Sequence, residues 1–330
     1  MWMLLAAALA SVAVLPPAPV PPRWAGLVGE YGPDEGTLYV RESDGRLEVV
    51  VKGGKPAPLV ELSKDMFRLP ASGPHASETI TFVRDASGRA ASARVGASIL
   101  PRRAWGIEGK GTFRVAPSRP VAELLKEAAA ASPPTEPGPF RRPDLVDLTN
   151  LDPTIKLDIR YATDENFLGT PVYDEARAYL QRPAAEALRR AHRRLKELGY
   201  GLLIHDAYRP WSVTKVFWEA TPPDKRVFVA DPTQGSRHNR GCAVDLTLYR
   251  LADGRPVEMP GVYDEMSERS YADFPGGTSE ERWYRQLLRG AMRDVGFAVY
   301  EAEWWHFDYK DWRRYPILNL PFAQLHVLDK

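Results

Sequence analysis

Two separated stretches of the chain hold side chains able to share one metal ion. The first is Ser236-Arg237-His238-Asn239-Arg240-Gly241-Cys242-Ala243-Val244-Asp245, and the second is Glu303-Trp304-Trp305-His306. They supply two imidazoles and a carboxylate for one metal, plus a second carboxylate, which is the inventory of a zinc hydrolase. A catalytic zinc site keeps three protein ligands and leaves the fourth position to water, whose pKa falls to about 7 when bound. A free carboxylate beside it can then take the proton.

Those groups meet only if the backbone carries them to one place. Alternation over 242–248 puts Cys242, Val244, Leu246 and Leu248 on one face of a strand, and Ala243, Asp245 and Thr247 on the other. His238 lies seven residues before Asp245 on the approach to that strand. Gly241 permits the turn between them, and the small side chain of Ala243 leaves room for an ion. The competing reading is a histidine in a polar loop and an aspartate paired with an arginine. In a regular strand Glu303 and His306 point to opposite faces, so their convergence requires a bulge or a strand start at Glu303. The alternative is an aromatic core strand with His306 merely hydrogen-bonded. Of six histidines, the two with acidic partners at usable spacing both fall in this region.

The surrounding pattern predicts an α+β domain, a largely antiparallel sheet flanked by helices. Pro183 suits a first helical turn, and Ala184, Leu188, Ala191, Leu195 and Leu198 share a face before Gly199 ends the helix. His192, one position past Ala191, is expected at the surface. A strand over 201–206 leads to Tyr208-Arg209-Pro210. Thr278 with Glu281 forms a capping-box pattern for a helix ending at Gly296, and strands follow over 297–301 and 304–309.

Upstream, 27–103 reads as short alternating strands broken by Ser43-Asp44-Gly45, Gly53-Gly54 and Asp85-Ala86-Ser87-Gly88, an all-β barrel or sandwich. It holds no cluster of His, Asp or Glu at metal spacing, and His75 is expected exposed. A helix over 120–131 precedes the spacer Ser132-Pro133-Pro134-Thr135-Glu136-Pro137-Gly138-Pro139, which cannot continue it. The expected division is a signal peptide at 1–22, a small β-barrel-like accessory domain at 23–115, a helix with a Pro-rich linker at 116–142, and the zinc domain at 143–330.

Forty-four basic residues against forty-three acidic ones leave no global field toward nucleic acid or anionic membrane. The pairs Arg189-Arg190 and Arg193-Arg194 read as solvated helix surface. One cysteine excludes an internal disulfide, and Cys242 is expected to pack as a small apolar residue. The apolar start, stopped by Pro16-Pro17 and Pro21-Pro22, is too short for a stable span and reads as an export signal. It lacks Lys or Arg before Arg23, so the alternative is a cytoplasmic enzyme. No cysteine follows it for a lipid anchor. The expected location is periplasmic or secreted.

The pattern Ser-x-His-x-x-Gly-x-Ala-x-Asp followed by Glu-x-Trp-His resembles the zinc D-alanyl-D-alanine dipeptidases of the vancomycin-resistance type. The likeness runs over about 147–321, through Tyr161-Ala162-Thr163-Asp164-Glu165-Asn166-Phe167, Asp206-Ala207-Tyr208-Arg209-Pro210, the run from Asp245 to Leu251, and Asp264-Glu265-Met266-Ser267-Glu268-Arg269-Ser270. It implies one Zn2+ on His238, Asp245 and His306, Glu303 as general base and then acid, and Arg209 stabilising the tetrahedral intermediate. It further implies a substrate pocket shaped by Tyr161, Phe217, Ser236 and Asp264, with Asp264 meeting the free ammonium of D-Ala-D-Ala. The stretch between Phe217 and Ser236 looks shorter than in the resistance enzymes, so a pocket-closing loop is expected to differ. The 27–103 region resembles β-barrel domains appended to some serine β-lactamase-like proteins, through Gly29-Glu30-Tyr31-Gly32 and Asp44-Gly45-Arg46-Leu47. Two other functions use the same residues: a peptidoglycan D,D-carboxypeptidase or endopeptidase, and a catalytically silent zinc protein that binds cell-wall peptide or a partner domain. Neither oligomeric state nor physiological role is legible.

Overall fold

The computed structural model describes residues 15–103 and 112–325. Most of the stretch read as an export signal, residues 1–14, lies outside them. Among the described residues no helix is long and apolar enough to cross a membrane.

After a short helix α1 (Pro22–Ala25), the N-terminal strands form two antiparallel sheets. One joins β1 (Gly29–Tyr31), β2 (Leu38–Ser43), β3 (Arg46–Val51) and β4 (Ala57–Pro58) in sequence order. The other joins β5 (Val60–Ser63), β6 (Met66–Arg68), β7 (Thr79–Arg84), β8 (Ala90–Val95) and β9 (Ser98–Pro101). Asp44 and Gly45 both have positive φ, the conformation that lets a two-residue turn follow the twist of β2 and β3. Inward residues of both sheets, among them Tyr31, Val40, Leu47, Phe67, Ile80 and Phe82, share one apolar core. His75 is half-exposed beside Glu78.

A second, larger core belongs to the rest of the chain. Helix α2 (Val121–Ala130) contributes Val121, Leu124 and Ala128 to it and packs on α5 (Trp211–Ala220). The Pro-rich spacer that follows is pinned, because the Glu136 carboxylate pairs with the buried Arg240 and accepts from the backbone of Ile317 at 2.8 Å. Two short strands, β10 (Leu145–Asp147) and β12 (Tyr179–Gln181), pair with each other, and α3 (Leu148–Leu151) starts on the Asp147 side chain.

The central sheet has five strands in the order β11 (Lys156–Leu157), β13 (Tyr200–Asp206), β14 (Ala243–Arg250), β16 (Glu303–Tyr309) and β15 (Phe297–Tyr300). Only the β11–β13 pair is parallel. Cys242, Val244, Leu246 and Leu248 are fully buried and belong to the main core, which α4 (Arg182–Glu197) and α6 (Ser279–Arg293) also enter. Burial pushes the Cys242 thiol far above its ordinary range. Thr278 and Glu281 form the expected capping box at the start of α6, and α7 (Phe322–Leu325) closes the described chain.

Two expectations for α4 fail, and the first is Leu198, placed on the buried face but exposed just past the helix end. His192 is not at the surface: it is fully buried on α4. The buried face of that helix is wider than the expected stripe, taking in Ala185 and Ala187 as well, and His192 stands four residues after Leu188 and three before Leu195, both buried. Its ring is satisfied there, Nδ1 accepting from Leu202 N at 3.1 Å and Nε2 meeting Thr154 Oγ1 at 2.8 Å.

Candidate active site

The site is built across three neighbouring strands. Asp245 on β14 pairs in register with Asp206 at the end of β13 on one side and with His306 on β16 on the other. The β13–β14 register shifts between Ile204 and Asp206, leaving His205 as the extra residue. A second shift lies at the other edge, where Val299 pairs with Phe307 but Tyr300 with Glu303. That irregularity, with β16 starting at Glu303, carries the Glu303 carboxylate to the His306 side, 3.7 Å from His306 Nδ1.

His238 arrives from a single 3-10 turn, His238–Arg240, that ends in left-handed Gly241 at φ 63°. A Cβ on Gly241 would stand 2.4 Å from Leu145 Cδ2, so the turn tolerates no larger residue without displacement. Ser236 Oγ accepts from His238 N at 3.2 Å. Asn239, fully buried, accepts from Ser236 N through its side-chain oxygen and donates to Arg209 O and Thr214 Oγ1. This one amide ties the histidine turn to the segment that carries Arg209.

His238 Nε2, His306 Nδ1 and Asp245 Oδ1 form a triangle with sides of 3.1, 3.0 and 3.3 Å. The opposite ring nitrogens are committed elsewhere. His238 Nδ1 donates to Ala207 O at 2.6 Å and His306 Nε2 to Asp308 Oδ1 at 3.0 Å. Each imidazole is thereby set in the tautomer that turns its lone pair into the triangle. Tetrahedral ligands about 2.0–2.1 Å from zinc stand about 3.3 Å apart, so the spacing and the two-nitrogen, one-oxygen set fit that ion.

Electrostatics follow the burial. Burial alone raises Asp245, but the His238 and His306 rings outweigh it and hold the carboxyl far below the usual range. Burial lowers His306, yet Asp308 and Asp245 more than reverse this. A cation bound in the triangle therefore competes with a proton on His306. Glu303 is pushed up to about 8, chiefly by burial, with Asp245 and Asp264 adding to it and His306 and Arg209 opposing.

Arg209 is buried and gripped by Asp206, whose Oδ2 accepts from Nε at 2.9 Å and Nη2 at 2.7 Å. Its guanidinium lies over Phe217, 4.7 Å from the ring centre, and within 3.8 Å of Asp245 Oδ2. Tyr161 donates to Asp264 Oδ1 at 2.9 Å, whereas Asp264 Oδ2 has no hydrogen-bond partner among the described residues. His238, Asp245, His306, Glu303, Arg209, Tyr161, Phe217, Ser236 and Asp264 all line one cleft of about 110 Å3 free volume. Val227 to Ala230, from the stretch between Phe217 and Ser236, form part of its rim.

Sequence reasoning gave no role to Asp206, Asp308, Tyr263 or Asn239. Asp308 had a usable signal, since it stands two residues after His306 on a strand and so shares its face. Asp206 stands three residues before the Arg209 it clamps, a usable spacing, whereas its place opposite Asp245 is set by the bulge and had no local signal. Tyr263 comes from the loop after β14 and stacks on His205 at 4.4 Å with its hydroxyl 3.4 Å from Asp245 Oδ2.

Residues 141–326 match the family model of peptidase M15, described as D-ala-D-ala dipeptidase. A D-alanyl-D-alanine dipeptidase of Escherichia coli (strain K12) is 37% identical over 180 residues, covering 54% of this chain and 92% of that protein. One from Enterococcus faecalis (strain ATCC 700802 / V583) is 37% identical over 190 residues, covering 51% and 92%. One from Streptomyces coelicolor is 37% identical over 175 residues, covering 48% and 87%.

Proposed function

Because the chain belongs to the peptidase M15 family of D-ala-D-ala dipeptidases, we propose that it hydrolyses D-alanyl-D-alanine to free D-alanine with one zinc ion held by His238, Asp245 and His306. The observation that carries this reading is the triangle of donor atoms, 3.0–3.3 Å on each side, in a cleft that also holds a spare carboxylate and a buried guanidinium. Zinc in that triangle supplies Lewis acidity, polarising a peptide carbonyl and acidifying water. Glu303 takes the proton of the attacking water and delivers it to the departing amine, a role suited to a carboxyl raised toward neutrality. Arg209, buried and immobilised by Asp206, faces the negative charge that grows on the former carbonyl oxygen.

Asp264 receives the substrate ammonium, with Tyr161 holding it, and Phe217 and Ser236 complete the pocket wall. A buried carboxylate lining a small cleft favours a dipeptide with a free amine over acylated peptides. The N-terminal strands, whose two sheets meet at the Tyr31–Arg102 bridge, are read as an accessory β-barrel. The apolar start supports export to the periplasm or beyond. Purified protein is expected to contain zinc by elemental analysis and to cleave D-Ala-D-Ala but not an acylated tripeptide ending in it. Cleavage of the acylated peptide alone would instead identify a D,D-carboxypeptidase, and bound zinc without turnover a silent binding protein.

Two further results are expected. Asp308→Ala removes the acceptor that orients His306 and is expected to weaken zinc retention about 10–100-fold in competition with a chelator. Unchanged retention would remove Asp308 from its supporting role.

The second concerns Asp264, whose carboxyl is pushed up to about 8 mainly by burial, with Asp245 adding to it and Tyr161 and Arg209 opposing. A carboxyl raised above its unfolded value of 3.8 stabilises the fold fully only below that value, and the stability is lost as pH rises toward about 8. Asn removes that loss and keeps an oxygen for Tyr161. Metal-free Asp264→Asn is therefore expected to gain in melting temperature over the parent by about 5 °C between pH 5 and pH 9. Its KM for the dipeptide rises at least about tenfold. A melting difference that does not change with pH contradicts the account.

A further inference from the structure

We propose that the β2–β3 hairpin is a positioning element for the segment that carries Asp264, and that Glu42 and Tyr39 thereby tune the cleft for a substrate with a free ammonium group. This rests on the reading of Asp264 given above. No described residue of the N-terminal sheets lines the cleft, so any influence they have on it passes through the elements they touch.

They touch the segment 263–279 at several points. Asp264 and Met266, which line the cleft, open it, and Asp264 sits in the left-handed region at φ 61°. Buried Glu265 ties the first turn together, its Oε1 accepting from Ser267 Oγ at 2.7 Å and its Oε2 from Val262 N at 3.2 Å. Beyond that turn the hairpin takes over. The Tyr39 hydroxyl donates to Glu268, which also pairs with Lys52. The Tyr39 ring meets Phe274 edge-on at 5.6 Å, and Arg41 Nη1 donates to Pro275 O at 3.2 Å.

The far end of the segment is held by Glu42. Its Oε2 accepts from Ser279 N at 2.8 Å, the first amide of α6, and its Oε1 accepts from Gly45 N in the hairpin turn at 2.7 Å. Its carbonyl accepts from Arg282 Nη2 at 2.7 Å, its amide donates to Gly277 O, and Asp44 N donates to Ser279 Oγ at 2.9 Å. Glu42 is only 1% exposed. Burying a carboxylate is unfavourable unless its lone pairs are used, and the positive end of a helix is a favourable place to use them. Tyr39, Val50 and Phe274 add a small separate apolar core to the same junction. Glu42 therefore fixes the hairpin turn and the end of the segment with one side chain.

Asp245, His306 and Glu303 stand on the sheet and His238 on the 3-10 turn before β14; the segment meets them through the Tyr263 hydroxyl, 3.4 Å from Asp245 Oδ2, and through Ala272 N, which donates to Glu301 O at 2.9 Å, while the Glu42 and Tyr39 contacts fall elsewhere on it. Loosening the hairpin contacts should change where Asp264 sits more than it moves the reacting groups, which the β14–β16 pairing and the His238–Ala207 hydrogen bond hold independently. The full-length protein and its Glu42→Ala, Glu42→Gln and Tyr39→Phe variants would be assayed on D-Ala-D-Ala and N-acetyl-D-Ala-D-Ala, with amide hydrogen exchange measured alongside. Glu42→Ala is expected to raise KM for the free dipeptide about tenfold and to change kcat less than about threefold. Its preference for the free over the acetylated dipeptide falls by a similar factor, and exchange rises over 264–282 but not in β13 or β14. Glu42→Gln and Tyr39→Phe give smaller effects in the same direction. Unchanged KM and exchange overturn the proposal, as does a rise in exchange spread evenly over the chain with loss of kcat. If the parent protein fails to cleave the dipeptide, the functional reading fails, and the exchange pattern alone decides whether the hairpin holds the segment.

Discussion

Replacing Glu303 by alanine is expected to leave zinc bound and remove nearly all turnover. The carboxylate lies 3.7 Å from His306 Nδ1, beside the triangle of donor atoms and not within it. Its loss should therefore spare the ion and remove the proton carrier. Positioned acid–base groups contribute about 10²–10⁴-fold, and kcat is expected to fall by that amount. Elemental analysis at parent levels beside collapsed kcat separates a proton-transfer role from a ligand role. Retention of most turnover would contradict the assigned base. The pH profile gives a second check: because burial and neighbouring acids raise this carboxyl to about 8 in the metal-free cleft, a bound dication should draw the acidic limb of kcat/KM below that value.

His238→Ala has the larger consequence for composition. It removes one of three donors and leaves Ala207 O without the 2.6 Å hydrogen bond that orients the ring. The variant is expected to lose zinc on dialysis and, with it, all measurable hydrolysis, while circular dichroism stays close to the parent's. His192→Ala serves as the contrast. That ring is buried on α4 and bonded to Thr154 and Leu202, so its loss should lower the melting temperature without lowering zinc content. Full metal occupancy in His238→Ala would take this histidine out of the coordination shell.

The parts of the site that could be read from the chain are those set by local rules. Strand alternation separates Asp245 from Cys242, Val244 and Leu246. A glycine between His238 and Asp245 marks the turn that lets them converge, and the Glu303–His306 spacing demands the irregularity seen where β16 begins. Helix α6 announced itself through Thr278 and Glu281.

What could not be read depends on partners far away in the chain. His192 looked peripheral because it stands one position past Ala191, at the edge of the face set by Ala184, Leu188, Ala191 and Leu195, and the amide that satisfies it lies on β13. Asp206 comes to face Asp245, 39 residues on, through a register shift no local pattern specifies, although Arg209, which it clamps, stands only three residues away. The junction of Glu42 with Ser279 joins residues 237 apart, and nothing near either residue points to the other.

Cys242 carries a consequence of its own. The thiolate, not the thiol, attacks peroxide, disulfides and alkylating reagents, and this lone thiol is sealed from solvent with its ionisation pushed far out of reach. The thiol–disulfide chemistry of the folded protein should therefore be indifferent to the redox poise around it, the same in a reducing cytosol or an oxidising envelope. Only unfolding bares the sulfur, so its labelling by iodoacetamide becomes a direct count of molecules that have lost their native packing.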